Sequence, residues 1–121
     1  MRIYTIVSNI RFMEGKELDR VFYALSDSKR RSIIEMLSEK EMTVSQIANS
    51  FSISLVGVSK HIKVLEHAGL IEVLRIGRVK QCRLNGPKFK RSLKWMNTYG
   101  TVWRASEKRL ELELQKSKKK E

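Results

Sequence analysis

The sequence has one cysteine, one proline and no long apolar run among its 121 residues. The lone Cys82 cannot form an internal disulfide, so we expect a buried small thiol in a reducing, intracellular compartment. No segment approaches the roughly twenty apolar residues that span a bilayer. Residues 1–13 also lack the unbroken apolar region and cleavage site of a signal peptide. These absences predict a cytoplasmic protein without a membrane partner.

Groups that could perform catalysis are also scarce. There are one cysteine, two histidines on or beside one predicted helix, and no cluster of carboxylates. No nucleophile and base pair can be assembled from this set. We therefore predict no enzyme activity, no catalytic residue, no metal site and no cofactor.

Acidic residues are outnumbered almost two to one. The chain has 25 Lys and Arg against 13 Asp and Glu, a formal net charge of +12. Such an excess suits a polyanionic partner but does not distinguish DNA, RNA and an acidic membrane. The length allows one domain with a modest core.

Apolar residues at helical spacing predict two short helices before residue 40. Asp27 or Ser28 can cap the second of them, and Thr43 can cap a third helix with Ile47 and Ala48 facing inward. The predicted core positions of the first two helices are Leu18, Val21, Phe22, Leu25, Ile33, Ile34 and Leu37.

A fourth helix is the clearest element of the sequence. Ser54 can cap it, it runs from about Leu55 to His67, and Gly69 is a natural left-handed stop. A short helix, a tight turn and a longer helix make a helix-turn-helix. Leu55 and Val56 lie on the polar side of this fourth helix, where a face made only for solvent would be uniformly polar.

Two β-forming segments follow, residues 71–75 and 79–84, and Gly77-Arg78 between them can form a tight hairpin turn. Gly86-Pro87 then precedes a long helix with an apolar stripe over about six turns. Such a stripe is long for one small core, so we predict that a second copy of the chain covers part of it, although packing on the first helix is the alternative. The predicted dimer-interface residues are Phe89, Leu93, Met96, Tyr99, Trp103 and Leu110.

The predicted fold is mainly α with a small β-hairpin wing: a winged helix-turn-helix with a long C-terminal dimerisation helix. We assign four segments along the chain. They are an N-terminal extension of uncertain structure at 1–13, the winged helix-turn-helix at 14–85, the dimerisation helix of the same domain at 86–115 and a basic disordered tail at 116–121.

Residues 24–85 carry a resemblance to a known family. Their sequence is ALSDSKRRSIIEMLSEKEMTVSQIANSFSISLVGVSKHIKVLEHAGLIEVLRIGRVKQCRLN. It resembles the ArsR family of winged-helix repressors, and VSKHIKVLEHAGLI is similar to that family's recognition-helix signature. The resemblance implies a homodimeric transcriptional repressor that binds double-stranded DNA.

Three departures from the family pattern bear on regulation and DNA recognition. Metal-sensing members carry Cys-Val-Cys where this chain has Thr43-Val44-Ser45, and the last helix has no His or Asp. Hydroxyls are poor zinc ligands, so we predict a regulator that does not respond to metals. Ser28 replaces a common proline, and Leu55-Val56-Gly57 replaces polar and small residues. The sequence identifies no small-molecule effector.

The second helix of a helix-turn-helix lies in the major groove with its first residues at base edges. The predicted base-reading residues are therefore Ser54, Leu55, Val56, Ser59 and Lys60. Apolar side chains there can pack on thymine methyls and a lysine can bind guanine, which predicts T-rich half-sites containing a guanine. The predicted phosphate and wing contacts are Ser45, Gln46, Lys63, Arg75, Arg78 and Lys80.

Several residues keep two interpretations. His61 fits either a phosphate contact or a half-buried structural residue, and Gly57 either a close approach to DNA or drift. Lys29, Arg30 and Arg31 open a helix, where cations are disfavoured, so they need backbone or acidic partners. Two alternative functions also stay open: a non-specific architectural nucleic-acid binder and a winged-helix module that binds protein.

Overall fold

The structure, a computed structural model, describes the backbone of residues 15–120, with the side chains of 101–103 and 118–120 left out. The predicted extension at 1–13 and the side chain of Trp103 lie outside this description. The elements are α1 Gly15–Leu25, α2 Ser28–Glu39, β1 Met42–Thr43, α3 Val44–Asn49, α4 Leu55–His67, β2 Ile71–Ile76, β3 Val79–Leu84 and α5 Gly86–Lys120. The predicted mainly helical fold with a hairpin wing is confirmed. The described chain forms two compact units, residues 15–90 and 91–120.

A sharp corner joins α1 to α2. Asp27 is the N-cap of α2, and its Oδ1 accepts hydrogen bonds from the backbone N–H groups of Lys29 at 2.8 Å and Arg30 at 3.3 Å. Desolvation acts to raise the pKa of Asp27, but these two hydrogen bonds outweigh it and hold that pKa below its ordinary value. Asp27, rather than Ser28, is therefore the cap.

The buried stripe of α1 differs in part from the prediction. Leu18, Val21 and Ala24 are buried, whereas Phe22 is 43% exposed and Leu25 is only half-buried. Helical spacing is compatible with either set, and the smaller Ala24, rather than Phe22 or Leu25, is fully buried. In α2 the inward residues are Ile33 and Leu37, while Ile34 is half-buried.

Side-chain caps determine where both helices of the helix-turn-helix begin. The hydroxyl of Thr43 accepts from the Gln46 amide at 3.1 Å, and the Gln46 side-chain oxygen accepts from the Thr43 amide at 2.9 Å, forming a capping box at the start of α3. The hydroxyl of Ser54 accepts from the Gly57 amide at 3.1 Å at the start of α4. Both predicted caps are confirmed.

The wing is a three-stranded antiparallel sheet in the order β1-β3-β2. Ile76 pairs with Val79, so Gly77 and Arg78 form the predicted two-residue turn, and Gly77 has φ +61°. The sequence did not predict β1, whose Met42 pairs with Cys82. A two-residue strand has no periodicity, and only its partner on β3 defines it.

The last helix is longer than predicted. It begins at Gly86, where the Asn85 side-chain oxygen accepts from the Lys88 amide at 3.3 Å, and continues to Lys120. Residues 116–120 are therefore helical, not the disordered tail expected from residue 116 onward. Lysine is a good helix former, and cations favour the negative end of the helix dipole. No helix within residues 15–120 is long and apolar enough to cross a membrane.

Gly69 ends α4 with φ +76°, and the Leu70 amide then donates to the Leu65 carbonyl at 3.1 Å. We predict that Gly69→Ala lowers the free energy of unfolding by about 1 kcal/mol or more, because a side chain is strained in this conformation. Its Cβ would also lie 3.3 Å from the Lys88 Cε. Urea denaturation followed by circular dichroism measures the loss.

Gly100→Ala is the matched control, since that Cβ meets nothing within 4 Å in an ordinary helix. It should leave stability unchanged or raise it by about 0.5 to 1 kcal/mol. Equal effects of the two substitutions would contradict a special role for the left-handed stop.

Candidate nucleic-acid interface

The first turn of α4 carries two exposed apolar side chains. Leu55 is 53% exposed and Val56 is 65% exposed, whereas Val58, Ile62 and Leu65 of the same helix are buried. Burial of the inward stripe does not require the two outward residues. They form an apolar surface at the end of the helix that a helix-turn-helix places against base edges.

A groove of about 400 Å³ lies between the start of α4 and the wing. It brings together five of the predicted DNA-contact residues from three separate elements, together with the β1–α3 junction. Its lining residues are Thr43, Val44, Ser45, Leu55, Ser59, Arg78, Val79 and Lys80.

The charge of this groove is wholly positive. Arg78 occupies the hairpin turn and Lys80 follows it on β3, and no carboxylate lines the groove. Ser45 and Ser59 also line the groove. Guanidinium and ammonium groups beside hydroxyl donors and apolar carbon make a surface suited to a phosphate backbone and base edges.

Other predicted contacts lie outside the groove. Val56 and Lys60 are exposed on α4, and Lys63 lines a separate depression of about 270 Å³ with Arg20, Tyr23, Val64 and His67. Two predicted contacts, Gln46 and Ser54, also have capping roles that engage part of their side chains.

Arg75, another predicted contact, forms an ion pair within the fold. Its guanidinium lies 3.5 Å from the Glu66 carboxylate of α4, although its side chain remains 57% exposed. In the strand register Arg75 lies opposite Lys80, which precedes the buried Cys82 of β3 by two residues. This ion pair connects β2 to α4 and competes with any phosphate for Arg75.

Two of the three cations at the start of α2 donate to backbone carbonyls of α1. Arg30 is buried and donates to the carbonyls of Ala24 at 2.7 Å and Tyr23 at 3.0 Å. Arg31 donates to the carbonyl of Leu25 at 2.7 Å. The sequence signal was a helix-opening cation that needed an electron-rich partner, but the identity of that partner required the fold.

Cys82 is fully buried on β3. Burial, and to a lesser degree the Glu66 carboxylate, raises the pKa of its thiol to about 11. Across residues 15–120, no three His, Cys, Asp or Glu side chains are grouped to hold a metal ion. The thiol is therefore protonated and shielded at neutral pH.

Helix α5 presents the predicted interface residues to solvent. Leu93, Met96, Tyr99 and Leu110 are exposed, while Phe89 is half-buried. The rings of Trp95 and Tyr99 pack with their centroids 4.9 Å apart. Two further leucines of α5, Leu112 and Leu114, are exposed and were not among the predicted interface residues.

Comparison with known proteins agrees with this geometry. Residues 25–73 match the family described as "Helix-turn-helix domain". The chain is 35% identical over 79 residues to the transcriptional repressor SdpR of Bacillus subtilis (strain 168), which covers 65% of this chain and 88% of that protein.

Solved structures extend the similarity to the fold. The crystal structure of an ArsR family transcriptional regulator superposes with a TM-score of 0.71 at 31% identity, covering 78% of this chain and 97% of that one. The homodimeric winged helix-turn-helix DNA-binding domain of a possible ArsR-family regulator from Mycobacterium bovis gives 0.57 at 25% identity, covering 72% and 82%.

Cys82 should resist alkylation in the native protein. Because its pKa is raised to about 11 from 9.0, its thiolate fraction at pH 8 is about a hundredfold below that of an ordinary thiol. We predict no modification by iodoacetamide at pH 8 and complete modification in urea, measured by mass spectrometry. The rate should rise as pH approaches 11. Rapid native labelling at pH 8 would contradict the burial.

Proposed function

Because the chain belongs to the ArsR family of winged helix-turn-helix transcriptional regulators, we propose that it is a homodimeric repressor that reads a near-palindromic operator. The family and fold are those of DNA-binding regulators, not of enzymes. One observation carries the proposal: exposed Leu55 and Val56 stand beside a positively charged groove at the start of α4.

Base recognition is assigned to the first two turns of α4. Leu55 and Val56 pack on thymine methyl groups, and Lys60 binds the O6 and N7 acceptors of guanine. Ser59 and Ser54 have hydroxyl hydrogens that bind base acceptors. These roles predict T-rich half-sites that contain a guanine.

Phosphate contacts fix the register of the helix on the duplex without reading sequence. Ser45 and Gln46 supply them from the start of α3, and Lys63 supplies one from α4. In the wing, Arg78 at the turn enters the minor groove, while Lys80 and Arg75 contact the backbone. Arg75 exchanges its Glu66 partner for phosphate in this arrangement.

Dimerisation is assigned to α5. Leu93, Met96, Tyr99 and Leu110 expose apolar surface that a second copy would cover. Phe89 and Trp103 belong to the same stripe in the sequence. The Mycobacterium bovis neighbour is described as homodimeric. A two-fold dimer that sets its recognition helices about 34–36 Å apart matches successive major-groove turns and requires a near-palindromic site.

Repression by occlusion of the promoter, within the cytoplasm, is the simplest mechanism for such a dimer, and the similar SdpR is a transcriptional repressor. We assign no metal response. In place of a cysteine pair, Thr43 uses its hydroxyl as the acceptor that caps α3, and Ser45 lines the groove. A small-molecule effector stays unassigned.

The proposed repressor function can be tested by the sequence specificity of DNA binding. At physiological salt, the protein should bind duplex from upstream of its own gene about a thousandfold more tightly than a scrambled duplex of equal composition. Lys60→Ala should reduce this preference by about tenfold or more, because a guanine contact is lost. Fluorescence anisotropy with both duplexes measures the ratio.

Lys63→Ala serves as the control, since loss of a phosphate contact weakens binding to both duplexes alike. Equal binding of the wild-type protein to both duplexes, with a steep salt dependence, would instead favour a non-specific architectural protein. A complete lack of binding to either duplex would favour a protein-binding winged helix.

The proposed dimer can be tested by the oligomeric state in solution. Light scattering at micromolar concentration should give the mass of a dimer, and Leu93→Glu should convert it to a monomer by burying a charge in the interface. Leu93 is 55% exposed in the single chain, so its replacement costs the isolated fold little. Gln115→Glu adds the same charge elsewhere on α5 and should leave the dimer intact. A monomeric wild-type protein would contradict the proposal.

A further inference from the structure

A buried guanidinium joins three helices at one point. Arg30 of α2 is 7% exposed, and its Nε and Nη2 donate to the carbonyls of Ala24 and Tyr23 at the end of α1. Its Nη1 lies 3.3 Å from the Nδ1 of His61 on α4. The guanidinium carbon also lies 5.1 Å from the centroid of the Tyr23 ring.

The contact with Arg30 determines the state of the His61 ring. A guanidinium has only donors and stays protonated at all ordinary pH values. The Nδ1 of His61 is therefore the acceptor in this contact, and the ring hydrogen lies on Nε2. The arginine thus selects one tautomer of this histidine.

The other ring nitrogen of His61 is left as an accessible donor. Within the described part of the chain, Arg30 is the one hydrogen-bond partner of the half-buried His61. No buried side-chain nitrogen or oxygen in that part lacks a partner. The Nε2–H group is consequently open to solvent and unused by the fold.

The position of His61 on α4 determines which edge of the helix carries this donor. His61 follows Ser59 by two residues, about 200° around the helix, so it lies on the edge away from the wing groove that Ser59 lines. A helix in the major groove has a phosphate backbone along each edge. Arg20 and Lys63, which line the depression next to Tyr23, add positive charge on the side of α1.

We propose that the Nε2–H of His61 donates a hydrogen bond to a DNA phosphate, and that Arg30 is the positioning residue that fixes the ring for it. The proposal rests on the proposed entry of α4 into the major groove. His61 then has both of the roles considered from sequence: its Nδ1 makes a structural contact with Arg30, and its Nε2 contacts a phosphate. The donor is uncharged, so it binds phosphate without displacing a counterion.

A pair of substitutions separates the two nitrogens. His61→Asn keeps an acceptor near the Nδ1 position for Arg30 but has no donor at the Nε2 position. His61→Gln places an amide donor near the Nε2 position but leaves Arg30 without its acceptor. We expect His61→Asn to keep the melting temperature and to bind DNA about tenfold or more weakly, because a hydrogen bond to a charged group is lost. His61→Gln should show the reverse pattern.

Salt dependence distinguishes this contact from a charged one. With His61→Asn, the slope of log K against log salt concentration should stay at the wild-type value, whereas Lys63→Ala should reduce it by about 0.9. Nitrogen-15 NMR of the imidazole in the intact protein should show hydrogen on Nε2. A predominant Nδ1–H form at neutral pH would overturn the assignment, as would wild-type DNA affinity in His61→Asn.

The same titrations keep this proposal apart from the proposed function. A phosphate contact acts on operator and scrambled duplex alike, so His61→Asn should weaken both equally. If wild type fails to discriminate between the duplexes but His61→Asn still weakens both, the repressor function fails and the phosphate contact stands. If wild type discriminates and His61→Asn binds normally, the opposite holds.

Discussion

The packing of α1, α2 and α4 depends on the buried guanidinium of Arg30. A cation removed from water is costly unless its donors are satisfied, and here two α1 carbonyls and one imidazole nitrogen accept them. The carbonyl end of a helix carries partial negative charge, which offsets part of that cost. The end of α1, the start of α2 and the middle of α4 are thereby held in one arrangement.

The parts of the fold that were predictable from sequence are those set by near neighbours along the chain. Ser54, Thr43 and Gly69 act through hydrogen bonds or backbone angles within five residues, so their roles can be read locally. Strand β1 and the contact of Arg30 with His61 depend on residues 31 to 40 positions apart. Local periodicity carries no information about such pairs.

The candidate interface likewise has features that follow from the local sequence and features that follow from tertiary packing. Exposure of Leu55 and Val56 follows from helical spacing, and the hairpin turn follows from Gly77. The meeting of Arg78 with Ser45 and Leu55 in one groove follows from how the sheet packs, which spacing does not encode. The ion pair of Arg75 with Glu66 is likewise a tertiary outcome, which the charge of Arg75 alone did not predict.

Thr43 belongs to two elements at once. Its backbone pairs with Gln81 in the sheet, and its hydroxyl accepts from Gln46 in the first turn of α3. No loop separates β1 from α3, because Val44 begins the helix directly after Thr43. The sheet pairing and the helix cap therefore meet at one residue, so a change in the backbone of Thr43 alters the edge of the wing and the start of the helix-turn-helix together.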